Sequence, residues 1–230
     1  MTHSWVLFDA DGTLFDYDRA ETAALTTTFE EVDHACTPES LEAYRQINGE
    51  MWRDFEQGLS TIDSIKTKRF ETLFSHIGVD LDPIAFNDHY IANLARQAEL
   101  IEGAEETVIR LAEKVKLLLI TNGLAGVQRP RVAKSPIRGY FQDLVISEEV
   151  GSAKPDGKIF DAAFSKMNHP EKRSVLMVGD SLSSDIKGGN NYGIHTCWFN
   201  PHRHPRDNEI DPAYEVQHLH QIIGLVNDAP

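Results

Sequence analysis

The sequence predicts an α/β protein built on a doubly wound parallel β-sheet, with a helical domain inserted after the first strand. Two observations carry this prediction. Short apolar runs, typical of strands buried on both faces, alternate with segments of helical periodicity. Between the first and second apolar runs, residues 15–100 show helical periodicity alone. We therefore expect a core formed by residues 1–14 and 101–230, and a separate helical domain formed by residues 15–100.

The composition is that of an ordinary globular protein. The chain has 230 residues, 41% hydrophobic and 25% charged, and its formal net charge is -14. This charge argues against a nucleic-acid partner or an anionic membrane surface, which need clustered Lys and Arg. Cys36 and Cys197 are too few for a disulfide framework, and no amino-terminal stretch resembles a signal peptide. We expect a protein of the reduced cytoplasm, with neither a nucleic acid nor a membrane as its partner.

The first apolar run, residues 5–8, leads directly into two aspartates on a glycine turn. Asp9, Asp11 and Gly12 follow it, so the carboxylates lie at the end of a predicted strand, where doubly wound sheets bind ligands. Their spacing allows both to converge on one cation. A calcium loop of the EF-hand type is excluded, because its sixth position is Leu14 instead of glycine. Two solvated aspartates remain the alternative for this stretch taken alone.

Residues 15–100 carry the stripes of apolar side chains that amphipathic helices show. Helices are predicted to begin at Pro38 and Pro83, since proline is favoured in the first turn, and one is predicted to stop at Gly78. Trp52 and Phe55 are able to contact a ligand, but aromatic residues at helical spacing more often lie in the core.

The remaining chain predicts four more strands. They are expected at residues 115–120, 143–146, 175–178 and 194–199. One helix, residues 105–114, should precede them, and a weak helix at residues 216–226 should end the chain. The spacing of His202 and His204 is a weak indication of a metal site, but a solvated loop is the favoured interpretation.

Two prolines shape the expected loops of this region. Pro130 fits a helix only near its first turn, so that helix should be short or start late. Pro155 is positioned to open a helix, which would put Lys154 at a helix start. The helix dipole does not favour a cation there, so the lysine is either solvated or required for an anion.

Polar residues follow each of the first four predicted strands. Besides Asp9 and Asp11, these are Thr121, Asn122, Lys154, Asp180 and Asp185. Because the strands are predicted to be parallel, all of these residues should meet at one edge of the sheet.

This ordered set resembles the motifs of the haloacid dehalogenase superfamily. The motifs are Asp9-Ala10-Asp11-Gly12-Thr13-Leu14, Thr121-Asn122, Lys154-Pro155 and Gly179-Asp180-Ser181-Leu182-Ser183-Ser184-Asp185. The resemblance spans nearly the whole chain. It implies a Rossmann-like core with strand order 3-2-1-4-5, and it makes the helical insertion a cap domain that closes over the strand ends.

The resemblance also implies an activity, that of a Mg²⁺-dependent phosphatase. In that family the residue matching Asp9 attacks phosphorus and forms an aspartyl-phosphate. The residue matching Asp11 protonates the leaving oxygen and then activates water. The positions of Thr121, Asn122 and Lys154 are those that bind the phosphoryl group.

The same resemblance implies the metal ligands. Asp9, the backbone carbonyl of Asp11 and Asp180 would hold Mg²⁺, and Asp185 would orient its water shell. Simple electrostatics asks for such a cation, since a carboxylate and a phosphate charge repel by about 4 kcal/mol at roughly 4 Å and an effective dielectric near 20. Asp11 can act as an acid only if its surroundings raise its pKa.

A narrower resemblance concerns residues 188–201, together with Gly123 and Gln128. It is to the pyrimidine 5′-nucleotidase branch and implies a small phosphorylated substrate, a nucleoside 5′-monophosphate with a pyrimidine base. Phosphoglycolate and sugar phosphatases are the alternatives within the superfamily. Asp11 argues against a dehalogenase, which lacks the second acid. A catalytically silent binding protein on the same scaffold is a further alternative, against which the intact motifs argue.

Overall fold

A six-stranded parallel sheet forms the centre of the computed structural model, which describes residues 3–206 and 209–226. Its strand order is β3-β2-β1-β4-β5-β6. The strands are β1 Trp5–Phe8, β2 Lys116–Thr121, β3 Phe141–Ile146, β4 Val175–Gly179, β5 His195–Phe199 and β6 Tyr214–Val216. The predicted α/β class and the order of the first five strands are confirmed, and the observed sheet has one more strand at its edge.

Ten α-helices accompany the strands within the described residues. They are α1 Tyr17–Glu31, α2 Pro38–Glu56, α3 Ile62–Ile77, α4 Pro83–Leu94, α5 Ala104–Ala112, α6 Ala125–Lys134, α7 Ser147–Val150, α8 Gly157–Lys166, α9 Lys187–Tyr192 and α10 Ile222–Leu225. No helix in this part of the chain is both long and apolar enough to cross a membrane.

Strand β1 is buried on both faces, which explains its continuous apolar run. Val6 and Phe8 point into a cluster shared with α5 and α10, whereas Trp5 and Leu7 point into a second cluster shared with α8. Helices therefore cover both sides of the sheet. The ends of the strands are left for binding, and the carboxyl ends carry the predicted site.

Helices α1 to α4 share a separate apolar cluster. The starts predicted at Pro38 and Pro83 are confirmed, with the side chains of Thr37 and Asp82 capping the first turns. Gly78 ends α3 with a φ of 71°, as predicted. These helices pack together as a unit, and Leu124 and Val127, at the start of α6, join their cluster from the core side. The domain boundaries proposed from the sequence stay a prediction.

Three local predictions need correction. The predicted tail helix is present but begins later, with a short turn at residues 219–221 that leads into α10, and residues 214–216 form strand β6. Three residues are too few to show a period, and pairing with β5 decides their conformation. Pro130 lies inside α6 instead of in its first turn. The lost backbone hydrogen bond is outweighed by tertiary packing, since α6 buries Val127 and Val132.

The third error concerns Lys154. Helix α8 begins at Gly157, two residues later than predicted, because the Asp156 side chain caps it by accepting a hydrogen bond from the Lys158 backbone at 2.9 Å. Lys154 consequently lies in the loop before α8 and not in its first turn. The unfavourable dipole interaction expected from the sequence does not arise.

Candidate active site

Strand β1 delivers Asp9 to the carboxyl edge of the sheet, where a tight turn follows. The Asp9 backbone donates to Val178 O of β4 at 2.9 Å, and the backbones of Leu14 and Phe15 both donate to Ala10 O, at 3.0 and 2.9 Å. Gly12 lies in this turn with a φ of +78°, and a Cβ atom there would be 2.6 Å from Asp180 Oδ2. Glycine is needed here for its backbone conformation and for the close approach of Asp180.

Lys154 lies at the centre of the site, although only 1% of it is exposed. Its Nζ donates to Asp9 Oδ1 at 2.5 Å and to Ile120 O at 2.9 Å, and it lies 2.7 Å from Asp185 Oδ1. Burial alone would lower the pKa of Lys154, but the carboxylates of Asp185 and Asp9 outweigh this effect and raise it. The lysine is therefore a fixed positive charge beside Asp9.

The Asn122 side chain positions this lysine by hydrogen bonding to the backbone of Lys154. The Asn122 amide accepts from Lys154 N at 2.8 Å and donates to Lys154 O at 2.9 Å. Thr121, also predicted to bind phosphate, is buried at the end of β2, and its hydroxyl accepts from Gly123 N at 3.1 Å. Both residues face the same cavity as Asp9. The Asn122 side chain thus already has partners, which the sequence did not indicate.

Three carboxylates converge beside Lys154. Asp9, Asp180 and Asp185 each offer one oxygen, and these three oxygens lie within 4.8 Å of one another. Asp180 also accepts from Thr13 Oγ1 at 3.1 Å, and Asp185 accepts from Ser181 N at 3.0 Å. This oxygen-only donor set fits a hard divalent cation such as Mg²⁺.

The electrostatics of this cluster agree with that fit. Asp180 is open to the solvent of the cavity, but the crowding protein limits its solvation, and this together with the Asp185 carboxylate raises the pKa of Asp180 to about 7. Burial also raises the pKa of Asp9, although Lys154 opposes the shift. One lysine does not balance three carboxylates, so a further cation would be stabilised here.

Asp11 has two partners that sequence reasoning missed. Gln128 Nε2 donates to Asp11 Oδ2 at 2.5 Å, and the fully buried Arg131 pairs with Asp11 Oδ1. Both partners come from one face of α6. Gly123 makes this possible, because a Cβ atom there would lie 2.3 Å from Gln128 Nε2. The sequence singles out Gln128 through the narrower resemblance, but not its contact with Asp11. The signal for Arg131 was its position three residues after Gln128, on a helix that follows the second motif.

A cavity of about 810 Å³ joins these residues to the helical insertion. Asp9, Asp11, Thr121, Lys154 and Asp180 line one wall, and residues of α1, α2 and α3 line the opposite wall. Glu56 of α2 reaches across it, accepting from Ser183 Oγ at 3.0 Å and from Asn122 Nδ2 at 3.4 Å. The volume is within the range of about 300–1,000 Å³ that is usual for small-molecule sites.

The aromatic residues of the helical insertion divide between core and cavity. Tyr90 is buried in the helical cluster. Trp52 is half-buried and also lines the cavity, so the preference for a core position holds only in part. Phe55 packs edge-on against Trp52, with ring centroids 5.7 Å apart. His202 and His204 lie exposed in a loop at the cavity, with ring centroids 5.8 Å apart.

Comparison with known proteins decides the family. A model of the haloacid dehalogenase-like hydrolases matches residues 3–193. The chain belongs to this family. It is 36% identical over 226 residues to the pyrimidine 5′-nucleotidase YjjG of Escherichia coli, covering 98% of this chain and 99% of that protein. It is 34% identical over 228 residues to the pyrimidine 5′-nucleotidase PynA of Streptococcus pneumoniae, covering 99% and 96% respectively.

A solved structure extends the likeness to three dimensions. The crystal structure of the HAD-hydrolase YfnB from Bacillus subtilis, bound to magnesium, matches with a TM-score of 0.93 and 33% identity. The match covers 99% of this chain and 100% of that one. Relatives named 5′-nucleotidase are phosphoric monoester hydrolases, the enzyme class that the sequence predicts. The predicted haloacid dehalogenase family, fold and enzyme class are confirmed.

Proposed function

We propose that this hydrolase is a Mg²⁺-dependent phosphatase that acts through an aspartyl-phosphate and prefers pyrimidine nucleoside 5′-monophosphates. The observation that carries the proposal is the position of Asp9. Its carboxylate lies against the buried Lys154 cation and beside Asp180 and Asp185, on the wall of a cavity of small-molecule size. A carboxylate nucleophile for a phosphate dianion needs positive charge nearby, because like charges repel. Lys154 supplies one such charge, and the three carboxylates would hold a divalent cation that supplies more.

Each proposed step uses residues that line the cavity. An Asp9 oxygen attacks phosphorus, the bond from phosphorus to the leaving oxygen breaks, and Asp11 donates the proton that this oxygen takes up. Water then attacks the aspartyl-phosphate, Asp11 takes a proton from the water, and Asp9 is regenerated. Lys154 compensates negative charge in both steps, and Thr121 and Asn122 contribute polar groups to the phosphoryl pocket.

Asp9, Asp180 and the Asp11 backbone carbonyl would hold Mg²⁺, with Asp185 orienting its water ligands. The ion would supply positive charge that lowers the repulsion between nucleophile and phosphate. Asp11 must release its proton at the right moment, yet here it contacts Arg131 and Gln128. We infer that these contacts orient the Asp11 carboxyl for this transfer. The helical insertion, acting as a cap, would exclude water around the aspartyl-phosphate.

The nucleotide preference is supported by the likeness to YjjG and PynA over nearly the whole chain. The cavity adds support, because its volume of about 810 Å³ suits a small metabolite better than a folded phosphoprotein. Trp52 offers an aromatic ring on its cap wall, against which a base is able to stack.

A phosphate-release screen of the purified protein tests the proposal. The panel contains UMP, dTMP, AMP, GMP, glucose 6-phosphate and phosphoglycolate, each with Mg²⁺ and with excess EDTA. The Asp9→Asn variant, purified in parallel, corrects for contaminating phosphatases. We expect UMP and dTMP to give the highest kcat/KM and EDTA to abolish release.

Three results would count against the proposal. Full activity in EDTA would refute the metal requirement. Efficient cleavage of phosphoglycolate or glucose 6-phosphate without cleavage of UMP would refute the nucleotidase preference and leave the phosphatase standing. No release from any compound would refute the phosphatase itself.

A further inference from the structure

The cap wall of the cavity carries a group of polar side chains that the phosphoryl chemistry does not use. Tyr17 and Glu21 come from α1, Asn48 from α2 and Arg69 from α3, and all four line the cavity that contains Asp9. We call these four residues the cap cluster. Three of them are almost fully buried, with Glu21 3%, Asn48 4% and Arg69 2% exposed.

The hydrogen bonds inside the cap cluster are long. Asn48 Nδ2 lies 3.2 Å from Tyr17 OH and 3.3 Å from Glu21 Oε1, and Arg69 Nη1 lies 3.5 Å from Asn48 Oδ1. Most N–H···O bonds in proteins measure 2.7–3.2 Å. The contacts of Asn48 within the cluster are therefore at or beyond the long end of this range, so a ligand with better geometry would compete with them.

Arg69 is bonded unevenly, closely through one terminal nitrogen and weakly through the other. Its Nη2 donates to Asn87 Oδ1 at a normal 2.7 Å, and its guanidinium lies 4.9 Å from the Tyr90 ring centroid and 5.1 Å from that of Phe70. Its Nη1, by contrast, has only contacts of 3.5 Å, to Asn48 and to Tyr44. The guanidinium is thus held by Asn87 and by the two aromatic rings, whereas its Nη1 is only weakly bonded.

The charge of Arg69 is also not neutralised by a carboxylate. Within residues 3–206 and 209–226, no ion pair joins Arg69 to Asp or Glu, whereas the nearby Glu21 pairs with Arg45 at 3.3 Å. Buried polar groups are normally well bonded, and a buried cation without an anionic partner is costly. A ligand carbonyl oxygen beside Nη1 would correct the first deficit and, through its partial negative charge, would lessen the second.

We propose that the cap cluster recognises the hydrogen-bonding edge of a pyrimidine base, with a ring carbonyl accepting from Arg69, a ring N–H donating to Glu21, and the Asn48 amide pairing beside them. This inference rests on the proposed function, because it assigns the base of the nucleotide whose phosphate lies at Asp9. Uracil and thymine present the required pattern, an N–H between two carbonyl groups. Trp52, one helical turn beyond Asn48 on α2, supplies a ring to the same cavity.

Discrimination should follow from the buried state of the cluster. A site built to bond a polar edge rejects a substrate that lacks the edge, because its own buried groups are then left unpaired. A sugar phosphate without a base should bind at the phosphoryl site as strongly as the sugar phosphate of a nucleotide does. The cap cluster should add nothing to its affinity.

The test compares UMP with ribose 5-phosphate, which carries the same sugar phosphate without the base. We expect Asn48→Leu and Glu21→Gln to lower the ratio of kcat/KM for UMP to that for ribose 5-phosphate by at least tenfold. Gln46→Leu is the matched control, because Gln46 is an exposed amide on the same helix that does not line the cavity. Its ratio should stay at the wild-type value. Glu21→Gln preserves shape and removes a buried charge, so it provides a folded variant if Asn48→Leu does not fold.

Binding of uridine gives a second measurement that does not depend on hydrolysis. Uridine should bind the wild-type protein in calorimetric titration and bind the two cluster variants at least tenfold more weakly. A ratio within twofold of wild type in both variants, with unchanged uridine binding, would overturn the inference while leaving the phosphatase intact. Hydrolysis of neither substrate by the wild type would refute the proposed function instead, and uridine binding alone would then decide the inference.

Discussion

Arg131 pairs with the Asp11 carboxylate from a fully buried position behind the Asp9 turn. Its Nε and Nη2 have no hydrogen-bond partner, and its guanidinium carbon lies 5.5 Å from the centroid of the Phe15 ring. Among the described residues, Asp11 is thus its only charged partner by direct contact. Together with Gln128, which donates to the other oxygen of Asp11 at 2.5 Å, it fixes where that carboxylate points.

We predict that Gln128→Leu lowers kcat for UMP about tenfold, because Asp11 loses one of two side-chain contacts that orient it. General acid–base catalysis contributes about 10²–10⁴-fold, which sets the upper limit of the effect. A positioning role has a specific signature in a double-mutant cycle. In the Asp11→Asn background, Gln128→Leu should cause almost no further loss of kcat, since the group it positions is already gone. An equal loss of kcat in the wild-type and Asp11→Asn backgrounds would mean that Gln128 does not act through Asp11.

Replacement of the two aspartates should separate the two chemical steps. Asp9→Asn should abolish turnover with the fold intact, because an amide is a poor nucleophile. Asp11→Asn should still be phosphorylated by an aryl phosphate, whose leaving group needs little protonation, but should hydrolyse the aspartyl-phosphate slowly. Rapid mixing should then show one equivalent of released phenol, and intact mass should rise by one phosphoryl group. Near-normal steady-state turnover in either variant would mean that the roles are misassigned.

Lys154→Ala should lower kcat/KM by about 10²–10³-fold at saturating Mg²⁺, the usual effect of removing one preorganised charge stabiliser. It should also destabilise the protein without metal, since Asp9 and Asp185 lose their buried cation. Lys166→Ala is the matched control, because Lys166 makes a similar 2.6 Å pair with Asp143 on the surface. Its effect on the free energy of unfolding should be about 0–1 kcal/mol, with no change in kcat/KM. Unchanged kinetics for Lys154→Ala would contradict the proposed charge compensation.

Gly12→Ala should weaken the response to Mg²⁺ more than it weakens the fold. Alanine at a φ of +78° costs about 1–2 kcal/mol, and its methyl carbon would also press against Asp180. Gly78→Ala separates the two effects, because Gly78 has a φ of +71° and nothing within 4 Å of an added Cβ atom. Both variants should unfold at similar, lower temperatures. Only Gly12→Ala should need at least tenfold more Mg²⁺ for half-maximal activity and show a smaller rise of Tm with added Mg²⁺. Equal Mg²⁺ requirements would show that Asp180 tolerates the displacement.

By itself, the sequence determined the α/β class, the five main strands, the helical insertion and the residues at the strand ends. These depend on short-range physics. Burial of β1 on both faces gives an uninterrupted apolar run, proline and a capping side chain begin helices such as α2 and α4, and a parallel sheet brings its strand ends to one edge. For that reason Asp9, Lys154 and Asp180 were identifiable before their distances were known.

Only the tertiary structure decided which side chains surround those residues. Arg131 and Asp11 are 120 positions apart in the chain, and Arg69 of α3 contacts Asn48 of α2. No local periodicity in the sequence predicts either contact. The same applies to β6, which becomes a strand through pairing with β5, and to Pro130, which stays inside α6 through the packing of its neighbours. Local patterns fix the backbone elements, whereas contacts between distant residues follow from how those elements pack, and the environment of Asp11 and the cap cluster consist of such contacts.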